Sequence, residues 1–227
     1  DGVRGTDVAR QGPVRLTASG LASPAAVRTA AALALGVAAV AGLVLAAIVS
    51  WWLLLVGAAC IAAAVLYTGG PRPYGYEGLG EVMVLLFFGV VATAGSAYVQ
   101  AERVPTTAWW GSLVVGALAC ALLVVNNVRD IATDRAAGKR TLPVRLGDRG
   151  GRLLYAGCLT AAYVAVVLVA LDAPWALLAL ATAPVAARLG LSVWRATSPR
   201  GFVAALVATA RFELATAALL AIGLWVG

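Results

Sequence analysis

The 227-residue sequence contains no histidine, and only ten of its side chains are acidic. Without imidazole there is no Ser–His or Cys–His nucleophile and no histidine-ligated metal. Any chemistry has to run on carboxylates, cations and the backbone. Charge is scarce overall, at 12% of residues against 62% hydrophobic, where soluble domains carry about 25% charged and roughly 45–50% apolar residues. An ordinary water-soluble domain is excluded. The three cysteines, Cys60, Cys120 and Cys158, each lie inside an apolar stretch at no metal-like spacing, which marks them as small packing residues.

What the chain has in quantity is apolar sequence. Seven runs, 25–49, 51–67, 80–100, 108–125, 153–171, 174–194 and 202–225, each come near the roughly 17–25 residues that a spanning helix needs. A backbone in hydrocarbon has to satisfy its own hydrogen bonds, so the runs are predicted to be helices. The expected fold class is all-α, a multi-span transmembrane bundle forming one domain over 1–227. Alternating the spans gathers Arg72, Arg129, Arg135, Arg140, Arg145 and Arg195 with Lys139 on one side and leaves Arg103 alone on the other. The positive-inside rule makes the crowded side cytoplasmic. The formal charge of +7 is therefore read as membrane orientation plus an anionic substrate, with the lipid bilayer and not nucleic acid as partner. Trp51, Trp52, Trp109, Trp110 and Trp175 fall beside the opposite side, where an aromatic belt is expected.

The densest polar segment, 126–147, follows the fourth run on the cytoplasmic side. If that helix continues, Asn126, Asp130 and Asp134 are spaced i, i+4, i+8 near one face, with Asn127 adjacent. Carboxylates in this register repel each other unless a cation lies near them. Oxygen-only ligands favour a hard cation, and Mg²⁺ is typically held by one or two carboxylates together with substrate phosphate. Lys139, Arg140 and Arg145 come next, positioned by Gly138, and suit the remaining charge of a diphosphate. A solvated loop with ordinary ion pairs is the competing reading. The order of acids first and cations after recurs in Asp1 and Asp7 followed by Arg10 and Arg15, on the same membrane face, and two such loops facing each other look like a double metal clamp. On that face too, the Gly/Pro-rich loop before the third run offers Tyr74 and Tyr76, either to cover an aromatic substrate or to anchor an interfacial turn. A carrier would usually set polar residues near the bilayer midplane. Only Arg188, Arg211 and Glu213 lie deep here, and Arg211 and Glu213 point to different helix faces.

The run Asn126-Asn127-x-Arg129-Asp130-x-x-x-Asp134-x-x-x-Gly138-Lys139-x-Thr141-Leu142-x-Val144-Arg145-Leu146-Gly147 resembles the second Asp-rich motif of the UbiA superfamily of membrane prenyltransferases. Tyr67-Thr68-Gly69-Gly70-Pro71, Gly78-Leu79-Gly80-Glu81 and Phe87-Phe88-Gly89 are similar to segments of its naphthoate branch. The resemblance implies a nine-helix fold. Asp1 resembles the second Asp of the first family motif, Asp7 its last, and Arg15 the Arg that follows, so two further helices are expected upstream and residues 1–227 alone are expected to lack activity. It also implies that Asp130, Asp134, Asp1 and Asp7 hold Mg²⁺ on a polyprenyl diphosphate. Lys139, Arg140 and Arg15 would stabilise the departing pyrophosphate, with Asn126, Asn127, Arg129 and Arg145 among the substrate-binding residues. The acceptor 1,4-dihydroxy-2-naphthoate would then attack the allylic cation and lose CO₂, giving a demethylmenaquinone at a bacterial cell membrane. An acceptor of 4-hydroxybenzoate, homogentisate or porphyrin type is the alternative.

Overall fold

Helix starts fall where proline pre-sets the backbone and a serine receives the first free N–H groups. In the computed structural model, which describes residues 16–227, Ser23 Oγ accepts from the Ala26 N–H at 3.2 Å as α1 (Pro24–Ile48) begins. After a turn over 49–52 comes α2 (Leu53–Thr68), then a short 3₁₀ turn (Tyr74–Tyr76) and α3 (Gly80–Ala101). The centre of α3, Leu85–Ala94, is π-helical. Pro105 precedes α4 (Thr106–Arg129), which is followed by the six-residue α5 (Ile131–Ala136) and by α6 (Leu142–Ala170). The chain closes with α7 (Pro174–Arg195), 3₁₀ over its first nine residues, and α8 (Pro199–Val226), which Ser198 caps through the Gly201 N–H.

Six of these helices are long and apolar enough to cross a membrane. The run expected over 51–67 is the exception, because Trp51 and Trp52 form the preceding turn and α2 keeps 16 residues, about 24 Å of helix against a hydrocarbon core of about 30 Å. Helix α6, which holds the fifth apolar run, differs in the other direction. It starts at Leu142 instead of 153, and Gly147 (φ 74) interrupts it, so most of the segment expected to be a long loop is helical.

Helix α4 is the hub, packed on α3, α6 and α8, and its Val114, Leu118, Val124 and Val125 are fully buried. Gly89 and Gly116 let α3 and α4 touch. A Cβ on Gly116 would lie 2.7 Å from Leu85 Cδ1 and 2.9 Å from the Gly89 Cα, so only glycine fits there. Polar contacts inside the bundle join hydroxyls, Tyr155 to Thr209 at 2.8 Å and Tyr163 through Thr182 to Thr216 at 2.8 and 3.0 Å, linking α6, α7 and α8. Near the charged end, the Arg152 guanidinium pairs with Asp148 and donates to the carbonyls of Val193, Trp194 and Ala196, which end α7. Outward faces carry exposed Leu33, Val37, Val82, Phe88 and Leu214, as a surface against lipid requires.

Candidate diphosphate site

The site grows out of the end of α4. Asp130 (φ −95, ψ 6) leaves helical geometry, yet the hydrogen-bond register runs on: the Asp130 N–H donates to the Asn126 carbonyl (3.2 Å) and the Asp134 N–H to the Asp130 carbonyl (2.8 Å). The continuous helix expected from the spacing is thus broken at Asp130, and Asp134 stands on α5. Arg129 lies against both neighbours. Its Nε and Nη2 meet the two oxygens of Asp130 at 2.7 Å each, and Nη2 also meets Asn126 Oδ1 at 2.9 Å. Asp130 is 5% exposed, so this bidentate pair offsets the cost of burying its charge.

Gly138 takes the left-handed conformation (φ 74) that ends α5 and turns the chain back. The Lys139 N–H then reaches the Asp134 carbonyl at 2.9 Å. Its Nζ lies 3.7 Å from Asp134 Oδ1 and 4.7 Å from the centre of the Tyr76 ring. The Arg140 N–H donates to the Tyr76 carbonyl (2.7 Å), while its side chain points outward. Arg145 straps the loop before α3 to the start of α6, donating from Nη2 to the Glu77 carbonyl (2.7 Å) and from Nε to the Arg140 carbonyl (3.0 Å). Gly78 permits this approach, being at φ 76 with the Arg140 carbonyl oxygen 2.9 Å from where a Cβ would sit. The Tyr74 hydroxyl is committed to the fold, since it donates to the Ala63 carbonyl at 2.8 Å. Burial pushes this phenol above its ordinary pKa, which keeps it a neutral donor. Behind it, Tyr67, Met83, Phe87 and Phe88 line a cavity of about 440 Å³ between α2 and α3.

Asn126, Arg129, Asp130, Asp134, Lys139 and Tyr76 therefore meet at one corner, with Arg140 and Arg145 at its rim. Asp1, Asp7 and Arg15 lie outside the described residues, and with them one of the two acid-then-basic loops of the expected double clamp. Among the described residues no three carboxylates or thiols converge on one metal position. The candidate ligands present, the Asp130 and Asp134 carboxylates and the Asn126 and Asn127 amides, nonetheless all offer oxygen. A hard cation that shares its shell with phosphate fits such a set. Glu81, quoted from the sequence only within a family-like segment and not singled out as a site residue, is buried in the first turn of α3 and accepts from Asn127 Nδ2 at 3.1 Å. The available signal was an acid at the start of an apolar span.

An integral membrane bundle with an acid, amide and cation corner at one end of its helices is the class that fold and site define. The chain belongs to the UbiA prenyltransferase family, whose profile matches residues 1–208. It is 52% identical over 188 residues to a 1,4-dihydroxy-2-naphthoate octaprenyltransferase of Mycobacterium tuberculosis and 49% identical over 188 residues to that of Mycobacterium leprae. Each alignment covers 83% of this chain and 64% of the relative, so the chain spans less than two thirds of their length. The enzyme of the same name from Escherichia coli is 34% identical over 99% of this chain and 76% of its own. No solved structure matches the chain.

Proposed function

We propose that the protein transfers a polyprenyl group from polyprenyl diphosphate to 1,4-dihydroxy-2-naphthoate with loss of CO₂, yielding demethylmenaquinone in its quinol form. The names of the relatives support the acceptor. The observation that carries the reading is the corner itself, where Asp130, Asp134 and Lys139 stand together at the end of an apolar bundle. Asp130 and Asp134 are suited to hold the metal, and Lys139, Arg140 and Arg15 to take the remaining charge of the diphosphate. UbiA prenyltransferases generally use a divalent metal, and we assign Mg²⁺, which when bound neutralises charge on the departing group. Cleavage of the allylic C–O bond sends its electron pair to pyrophosphate. The ring carbon that bears the carboxylate then bonds to the allylic carbon, and the electrons of the C–CO₂⁻ bond restore the aromatic ring as CO₂ leaves. The apolar helices keep water from the cation, and Tyr76, fixed over Lys139, supplies a ring face near the reacting end. The positive-inside rule puts this corner at the cytoplasmic face of a bacterial cell membrane.

The test is product mass after membranes bearing the full-length protein are incubated with a labelled prenyl diphosphate and the naphthoate. Turnover should vanish on chelation of Mg²⁺, and Asp130→Asn or Asp134→Asn should each lower it by at least about a hundredfold without loss of membrane insertion. Near-normal turnover in both variants would sink the metal-clamp reading.

A further inference from the structure

Glu81 and Asn127 meet across the α3–α4 interface, 6% and 9% exposed, through the single bond from Asn127 Nδ2 to Glu81 Oε1. Glu81 Oε2 is buried without a hydrogen-bond partner, and Asn127 is the one side chain among the described residues that hydrogen-bonds to this carboxyl. Burying a carboxyl for one bond to a neutral amide costs more than burying another amide for the same bond. Glutamine would tie the helices at lower cost. What separates glutamate from glutamine is that a carboxylate has acceptors and no donor. Opposite it, Asn127 presents its NH₂ group to Glu81 Oε1, which leaves Oδ1 on the other branch of the amide. That oxygen is not among the buried unpartnered atoms, so it is not sealed within the interface. Asn127 precedes Asp130 by three residues, about 4.5 Å along the axis and near the same helix face.

We propose that Glu81 is a positioning residue that locks the side-chain amide of Asn127, so that Oδ1 is presented as a hard oxygen donor toward the cation and diphosphate at the α4–α5 corner. The inference rests on the reading of that corner as a metal–diphosphate site. With the amide reversed, two N–H donors would face the cation in place of an oxygen. The probe is Mg²⁺ with inorganic pyrophosphate, titrated calorimetrically into the full-length protein in lipid nanodiscs, alongside thermal unfolding of each variant. Glu81→Gln keeps a tie between the helices but frees the amide to reverse, so affinity should fall about tenfold while the unfolding midpoint stays at or above that of the unmodified protein. Adding Asn127→Asp to Glu81→Gln should restore affinity, because the introduced amide donates to the introduced carboxylate and an oxygen again faces the site. Unmodified affinity in Glu81→Gln, or no recovery in the double variant, overturns the role of Glu81 and leaves the diphosphate reading standing. Failure of the unmodified protein to bind the probe overturns the diphosphate reading and this inference with it.

Discussion

Lys139 is held from several directions. Its backbone follows a left-handed glycine, its N–H reaches the Asp134 carbonyl, and its ammonium lies between the Asp134 carboxylate and the Tyr76 ring. An ammonium so placed has already lost most of its rotamer freedom, so little further entropy is lost when a phosphate meets it. Lys139→Ala should raise the KM for the prenyl diphosphate by at least about tenfold and leave the acceptor KM within about twofold, as read from initial rates of the full-length protein. A selective change in the acceptor KM would reassign the residue. Much of this corner was legible in the sequence, because the spacing of Asn126, Asp130 and Asp134 and the cations after Gly138 have few uses at the end of an apolar helix. The Arg129–Asp130 clasp was not legible, since adjacent residues on a regular helix do not face each other and the contact exists only because the backbone breaks at Asp130. Arg145, expected among the substrate-binding residues, has its guanidinium on two carbonyls of the loop strap. Those partners are sixty-eight and five positions away, and no local pattern announces the first of them.

Between α3 and α4 the contact rests on two glycines with no room to spare. Gly116→Val would drive its Cβ into Leu85 and the Gly89 backbone, and overpacking of this kind costs about 1–3 kcal/mol. Thermal unfolding in detergent should show the loss, while Gly157→Ala, where a Cβ meets nothing within 4 Å, should leave the midpoint almost unmoved. Comparable midpoints for the two variants would mean that the interface relaxes freely. Helix ends were the easier part of the sequence, because Ser23, Pro24, Pro174, Ser198 and Pro199 act locally on the backbone. The early start of α6 was hidden: residues 142–152 contain Arg145, Asp148, Arg149 and Arg152 among three glycines, a composition that reads as loop. The helix forms there because it is amphipathic, with Pro143 and Gly151 buried against the bundle and the charges turned outward or onto α7.

For the molecule as a whole, the connections at the two ends of the bundle are unequal. One end carries the strap, α5 and the charged turns, while the other has the short links 49–52, 102–105 and 171–173. This supports the inside placement of the corner proposed above. A membrane-impermeant maleimide applied to intact cells should therefore label Arg103→Cys and spare Ala136→Cys, with the reverse in inverted vesicles, both positions being exposed. The native cysteines sit in the apolar helices, at intermediate exposure or buried, and should contribute little label. The opposite labelling would invert the topology.

The Arg152 clasp also constrains how the chain is built. The carbonyls at the end of α7 have no helical partner of their own, and the guanidinium that receives them belongs to a segment synthesised some forty residues earlier. Until α6 has crossed and α7 has returned, Arg152 has Asp148 as its hydrogen-bonding partner. Once it returns, the three carbonyls close on an arginine already waiting at the membrane surface. The α6–α7 pair is thus closed at the membrane surface by its own latch. The same guanidinium lies over the Phe202 ring of α8 at 5.1 Å, so one arginine joins three helices that arrive in succession.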